Sequence, residues 1–244
     1  MEIKVMTFNI HHGRGMDKKL DLDRILRIIK HADADIIGLN EVDKFFSGRS
    51  KFIDQTKYLA SGLHMNYAYG PAITIEDKAH NRQKQYGNAL LTRFPITCVK
   101  NHPFDFLPKI VENRSMLEVC INAGGYSLNA FISHLSFAPF LHKKQTSFIL
   151  HHMIQSDLPS FVMGDWNMTR QSKSWKLVTQ SLGDAWLEAN PSSPGGYTYP
   201  SKKPRTALDY IFINQGFKAV EAAVLENSSL ASDHLPITAT LKML

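Results

Sequence analysis

The most constraining feature of this sequence is a repeated pattern: a short apolar run with a period of two, closed by a polar side chain on the same face. In SFVMGDWNMT, a strand from Ser160 sends Phe161, Met163, Asp165 and Asn167 to one side. KVMTFNI delivers Asn9, DIIGLNEV puts Glu41 on the side of Ile37 and Leu39, and LNAFISHLS puts His134 in line with Leu128, Ala130 and Ile132. TALDYIFIN places Asp209 with Ile211 and Ile213. A single such ending is an ordinary turn, because Gly, Asp and Asn are turn formers. Its recurrence predicts a site built at the ends of several rigid strands.

Between these runs the period changes. Leu22, Ile25, Leu26 and Ile29 form one helical stripe that Asp21 can cap. Helices are also predicted over 54–63, from Pro139 to about residue 155, and over 174–182. Strands are predicted over 3–10, 36–42, 67–69, 88–92, 97–99, 116–121, 126–135, 207–214 and 237–241. No repeat or low-complexity linker interrupts the series. The turn-rich stretch 190–204 reads as a surface or functional loop rather than a boundary, so one domain spanning 1–244 is expected.

Apolar residues at 43% and charged residues at 20% exclude a disordered chain. The amino-terminal residues resemble no signal peptide, and no apolar run approaches the roughly 18 residues of a membrane span. A cytoplasmic protein without stable membrane insertion is expected. Cys98 and Cys120 are too few for a disulfide framework, have no zinc-type spacing, and are expected to be buried thiols. The formal charge of +6 favours an anionic partner: nucleic acid, a phospholipid surface or a small phosphate.

Asp209, among branched apolar neighbours, needs a partner, because an unpaired buried charge costs several kcal/mol. ASDHLP offers His234, directly after Asp233. Together Asn9, Glu41, Asp165, Asn167, Asp209 and Asp233, with the imidazoles of His134 and His234, suit a hard cation with oxygen ligands beside an acid/base pair. Magnesium fits that set better than zinc.

TFNIHHG, IGLNEVD, YGNALLTRFPI, ENR, ISHLS, MGDWN, LDYIF and ASDHLP occur in the order seen in the endonuclease/exonuclease/phosphatase superfamily, and the resemblance runs from Val5 to Ala239. It implies an α/β (α+β) deoxyribonuclease I-like fold: a four-layer αββα sandwich of two mixed β-sheets packed face to face, helices outside, with a metal site at one end. It implies Glu41 as the main magnesium ligand, with Asn9 at the metal and phosphate and Asp233 in the metal environment. Asp165 and Asn167 would orient the attacking water and hold the phosphate, and Asp209 would orient His234. His134 would touch the phosphate or assist the leaving group, while Arg114 would bind phosphate or form a structural ion pair. Trp166, Leu208 and Asn40 stand where relatives usually carry Phe, Ile and Gln, and none of the three changes removes a catalytic group.

The expected activity is therefore a magnesium-dependent phosphoester hydrolase, with manganese as a substitute, acting as a monomeric phosphodiesterase on a nuclease-type substrate. A phospholipid head group or small phosphate ester, as for sphingomyelinases or inositol phosphatases, is the alternative. A non-catalytic phosphate-binding module is opposed by the intact set Glu41, Asp165, Asn167 and His234. Whether His234 or Asp165 is the base is open at this stage, as is the number of metals. His11 and His12 read as a solvated loop pair, and His151 and His152 as helix residues away from the motifs. Phe45 and Phe46 are expected to pack locally. Lys78, Arg82, Lys84, Lys202, Lys203 and Arg205 either face solvent or meet an anion.

Overall fold

The period-two runs pair into two sheets. In the computed structural model, which describes residues 1–105, 113–193 and 195–244, each sheet has six strands among the described residues. Glu112 of the ENR motif and Pro194 of the 190–204 loop lie outside the described residues.

The first sheet contains β1 (Glu2–Asn9), β2 (Ile36–Lys44), β3 (Asn66–Asp77), β4 (Arg82–Thr92), β11 (Phe217–Val224) and β12 (Ile237–Met243), in the order β11-β12-β1-β2-β4-β3. The second contains β5 (Ile96–Pro103), β6 (Ser115–Ala123), β7 (Tyr126–His134), β8 (Ser160–Asp165), β9 (Gly183–Asp184) and β10 (Asp209–Ile213), in the order β5-β6-β7-β8-β10-β9. Each sheet is mixed, with one central parallel pair, β1 with β2 and β7 with β8, flanked by antiparallel neighbours. The crossovers carry α1 (Leu22–Ala32) and α3 (Pro139–Ile154). Parallel neighbours share an end, so the carboxyl ends of β1 and β2, and of β7 and β8, each form one edge. Open sheets of this kind bind ligands at those edges.

Burial follows the alternation. Val5, Ile36, Leu117, Leu128, Ile132, Phe161, Met163 and Ile211 belong to one core between the sheets. Gly38 marks how closely they approach, since a Cβ there would lie 2.7 Å from Ile132 and 2.9 Å from Met163 of the facing sheet. A second core packs Met6, Phe8, Ile37 and Leu39 against Ile25 and Ile29 of α1 and Leu59 of α2 (Gln55–Leu63). A third packs Phe131, Val162 and Phe212 against Ile149 and Met153 of α3 and Val178 of α4 (Lys173–Val178). These layers are the expected αββα sandwich. Asp21 and Asp54 cap α1 and α2 by accepting from the amides of Arg24 and Lys57. Among the described residues no helix is long and apolar enough to cross a membrane.

Three local expectations change. Short elements add to the sequence reading: β9, the following α5 (Ala185–Ala189), and β11. Cys98 and Cys120 are not buried thiols: they are directly opposed on β5 and β6, with Cα atoms 4.9 Å apart, and form a disulfide. Cys98 is exposed because β5 is an edge strand showing much of its surface to water. Glu41 does not follow its strand parity. Ile37 and Leu39 face the helices, but the register shifts between Leu39 and Val42 and Glu41 takes a left-handed φ of 59°. This bulge re-aims the carboxylate toward the strand-end edge.

Gly164, with φ 146°, lies where β7 and β8 touch, and a Cβ there would run into the Ser133 carbonyl oxygen. Gly164→Ala is expected to cost about 3 kcal/mol or more, whereas Gly48→Ala, in open space, should stay within about 0.5 kcal/mol of the parent. Urea unfolding of the two variants checks this, and equal midpoints would show that the β7–β8 contact yields easily.

Candidate active site

The strand-end residues meet in one connected cluster. Asn9, at the end of β1, donates from Nδ2 to Glu41 Oε1 and to Asp165 Oδ2, each at 3.1 Å. Asp165 ends β8 and is the register partner both of His134 on β7 and of Asp209 on β10. Its Oδ2 lies 3.4 Å from His134 Nε2 and 3.6 Å from His234 Nε2. His234, in the turn leading to β12, donates from Nδ1 to Asp209 Oδ2 at 2.8 Å. Asp165, Asp209, His134 and His234 are all buried. The buried Asp209 thus has the partner its surroundings demand.

Asn167 sits two residues beyond β8 with φ 47°, its amide donating to Asp165 Oδ1 at 3.0 Å. Its Nδ2 donates to the Leu135 carbonyl at 2.8 Å and lies 3.2 Å from His134 Nε2, while Oδ1 is buried without a hydrogen-bond partner among the described residues. The Gly-Asp-Trp-Asn stretch is therefore a turn and a site at once. Trp166 anchors it: the ring is fully buried against Phe212, the amide donates to the Leu208 carbonyl, and its own carbonyl accepts from His142 Nε2.

Arg114 is buried, and its Nη1 donates to His134 Nδ1 at 3.0 Å. The neutral His134 ring then carries its proton on Nε2, toward Asp165 Oδ2. Asp233 stands at the margin. Its Oδ1 lies 3.2 Å from Ser232 Oγ and 3.9 Å from His11 Nδ1.

Burial and charge set the protonation states. Burial, helped by the Arg114 guanidinium and by His234, holds His134 well below the usual imidazole range, so it is neutral. Burial also opposes charge on His234, but the carboxylates of Asp209 and Asp165 outweigh it and lift its pKa to about 10. For Asp165, burial is the largest influence. The neighbouring Asp209 adds to it, His234 and the Asn9 hydrogen bond oppose it, and the net result is about 7. A carboxyl that titrates near neutrality beside a fixed imidazolium is suited to accepting a proton.

The cluster can hold a divalent cation. Two carboxylates, Glu41 and Asp165, crowd one amide NH2 group, and both Glu41 with His11 and His12 and Asp165 with Asp209 and His234 bring potential ligand atoms within 4.8 Å of one another. Oxygen donors at Glu41 and Asn9 are of the kind a hard cation takes.

Other residues emerge only in three dimensions. Asn40 Nδ2 donates to Asn88 Oδ1 and the Ser133 carbonyl, and its Oδ1 accepts from the Asp165 amide at 2.9 Å, stitching the two sheets together beneath the site. Its only sequence signal is its place before Glu41. Ser232 Oγ donates to the Asn9 carbonyl at 2.7 Å, and Thr198 Oγ1 accepts from the Asp209 amide. His12 is buried beside Glu41, against the expectation of a solvated pair. Phe46 packs on Tyr86 and Arg49, as local packing predicts. His151 and His152 lie in the last turn of α3, with His152 against His102 and Phe148.

The model of the Endonuclease/Exonuclease/phosphatase family matches residues 6–234. Comparison with curated proteins gives no match. Among solved structures, an endonuclease/exonuclease/phosphatase from Beutenbergia cavernae superposes with a TM-score of 0.85 at 23% identity, over 99% of this chain and 72% of that one. A mannosyl-6-phosphatase of Bacteroides thetaiotaomicron gives 0.79 at 17% identity, over 99% of this chain and 100% of the other. The human Nocturnin catalytic domain, in a structure with a bound sulfate anion, gives 0.72 at 19%, over 100% and 95%. At these identities the likeness is one of fold.

Proposed function

The chain belongs to the endonuclease/exonuclease/phosphatase family, whose members hydrolyse phosphoesters, and from that premise we propose a phosphodiesterase that depends on a divalent cation and has a nuclease-type substrate. The observation that carries this reading is the Asp209–His234–Asp165 chain, which sets an imidazolium beside a carboxyl of pKa about 7. Glu41 and Asn9 would hold the cation, magnesium or manganese, with Asp233 at its margin. When bound, it neutralises charge on the phosphoryl and leaving oxygens.

In this mechanism Asp165, deprotonated, takes the proton of the attacking water, and Asn167 holds that water and a phosphoryl oxygen. His234, fixed by Asp209, donates Nε2–H to the phosphate. Neutral His134, with its tautomer set by Arg114, donates Nε2–H toward the leaving group or phosphate. Arg114 therefore acts by positioning His134, in addition to lining the cavity that holds Glu41.

We propose that residues 1–244 act as one domain and as a monomer. The Cys98–Cys120 disulfide weighs against the expected cytoplasmic location, because cytosolic thiols are kept reduced. The nuclease reading draws on Lys202, Lys203 and Arg205, which are exposed on a loop that Ser201 ties to the Asp233 carbonyl. Arg82 and Lys84 contribute less than the sequence suggests, since both pair with Asp77. A phospholipid head group is the second reading. Phe137, 72% exposed and lining one cavity with Asn167, favours it, with Phe140, 60% exposed, in the adjoining first turn of α3.

A hydrolysis screen over DNA, RNA, phospholipids, inositol phosphates and bis-p-nitrophenyl phosphate tests the proposal. Chelator should abolish activity and magnesium or manganese restore it, whereas full activity with excess chelator would end the metal-dependent reading. Asp165→Asn and His234→Ala should each lower kcat about a hundredfold or more in a chain that still folds, His234→Ala with a lowered melting temperature because it leaves buried carboxylates unpaired, and Glu41→Gln should raise the cation concentration needed. Near-normal turnover in His234→Ala would remove it from the mechanism.

The pH profile has a definite sign. Protonated Asp165 cannot accept a proton, so kcat/KM should fall as pH drops through about 7, and it should fall again as His234 loses its proton near 10. A flat profile between pH 5 and 8 would exclude Asp165 as the base.

For a polynucleotide, replacing Lys202, Lys203 and Arg205 together by Ala should weaken binding and lower the log-log salt slope by up to about three, at roughly one per phosphate contact. Hydrolysis of bis-p-nitrophenyl phosphate should be unchanged. Undetectable polynucleotide binding at low salt would shift the assignment to a lipid head group or small ester.

A further inference from the structure

The turn after β1 holds two imidazoles that the mechanism leaves unused. His12 is 6% exposed, and its Nδ1 is buried without a hydrogen-bond partner among the described residues. Leaving such a group unpaired costs about 1–3 kcal/mol. His11 and His12 both take a left-handed φ of 45°, an unfavourable geometry for residues other than glycine. The turn is nonetheless held firmly. Asn9 Oδ1 accepts from the His11 amide at 3.1 Å, and Gln55 Nε2 donates to the His12 carbonyl at 2.7 Å.

The effect is to bring both rings to Glu41. The ring centroids are 4.5 Å apart in an edge-to-face arrangement, and one nitrogen of each lies within 4.8 Å of the other and of a Glu41 oxygen. All three residues open onto a cavity of about 360 Å³. The nearby Arg49 is engaged by the buried Asp43 carboxylate at 2.7 and 2.9 Å, so its charge is locally matched. Oxygen donors alone would suit magnesium, whereas a site with imidazole nitrogen gains affinity along the first-row ions from manganese through cobalt toward zinc and copper, and imidazole is a poor magnesium ligand.

We infer that His11 and His12 join Glu41 in a mixed nitrogen and oxygen site for a divalent transition ion of the manganese-to-zinc class, held in preference to magnesium. The inference rests on the reading above only in placing a cation at Glu41, and it is independent of the substrate.

The test is cation binding by the full chain, stripped of metal and without substrate, so its failure is separable from failure of the phosphodiesterase reading. Cobalt is titrated by its visible absorption, magnesium by calorimetry, and bound manganese is examined by pulsed electron paramagnetic resonance. Cobalt should bind at least about tenfold more tightly than magnesium, and manganese should show nitrogen couplings. His12→Gln and His11→Gln should each weaken cobalt about tenfold or more, by analogy with losses at other metal sites, and change magnesium less than about twofold. His11 is only part-buried, so its variant remains informative should His12→Gln fail to fold. Unchanged cobalt affinity in His11→Gln, or manganese without nitrogen coupling, overturns the inference. Weakened inorganic phosphate binding with unchanged cobalt affinity also overturns it and assigns the pair to the substrate.

Discussion

Asp165 and Asp209 face one another as register partners on β8 and β10, both almost fully withdrawn from water, and an oxygen of each lies within 4.8 Å of the other and of a His234 nitrogen. At an effective dielectric near 20, two such charges repel by roughly 3 kcal/mol. The surrounding contacts exist to hold them. His234 bonds to Asp209 and approaches Asp165, Asn9 Nδ2 and the Asn167 amide bond to Asp165, and Thr198 receives the Asp209 amide. The outcome is a retained proton on His234 and a carboxyl at Asp165 that titrates near neutrality. The same pairing that makes the burial tolerable also prepares an acid/base pair.

The backbone around this pair is unusually arranged. His11, His12, Glu41 and Asn167 are all left-handed: His11, His12 and Asn167 follow strands whose apolar stripes are locked into a core, and Glu41 sits at the bulge within β2. Left-handed geometry at such residues costs on the order of 1 kcal/mol each and persists only where the surroundings impose it. Here local hydrogen bonds, each spanning two residues, help to hold it, from the His11 amide to Asn9 and from the Asn167 amide to Asp165. The sandwich supplies rigidity, and the strand ends use it to aim side chains that regular geometry would turn away.

That division explains what the sequence reveals. Alternation read from residues 3–10, 126–135 and 160–165 places Asn9, His134 and Asp165 correctly, because those strands run straight to their polar ends. For Glu41 the same rule gives the wrong face, since a bulge adds a residue and leaves no mark in an alternating string. Cys98 and Cys120 look alike as strand residues, and only edge position and register show that they meet. Asn40 matters through partners 48, 93 and 125 residues away, a separation that local patterning cannot detect. β11 escapes because much of it is exposed and its buried positions, Phe217 and Ala219, make a weak stripe.

The surroundings of the cluster bear on which phosphoester it would meet. On the α3 side the exposed Phe137 shares a cavity with Asn167 and Phe140 stands exposed at the start of the helix, and on the His234 side the 201–205 loop holds Lys202 and Lys203 out to solvent. At the β3–β4 tip Asp77 pairs with the part-buried Arg82 and Lys84, while Lys78 stays exposed. Net charge therefore overstates the basic surface open to a ligand. A small ester confined to the strand ends would need neither the rings nor the lysines. A polynucleotide would use both, a ring for stacking and lysines for backbone phosphates. A lipid head group would use the rings alone, so the two sides of the rim, not the catalytic cluster, carry the difference between these substrates.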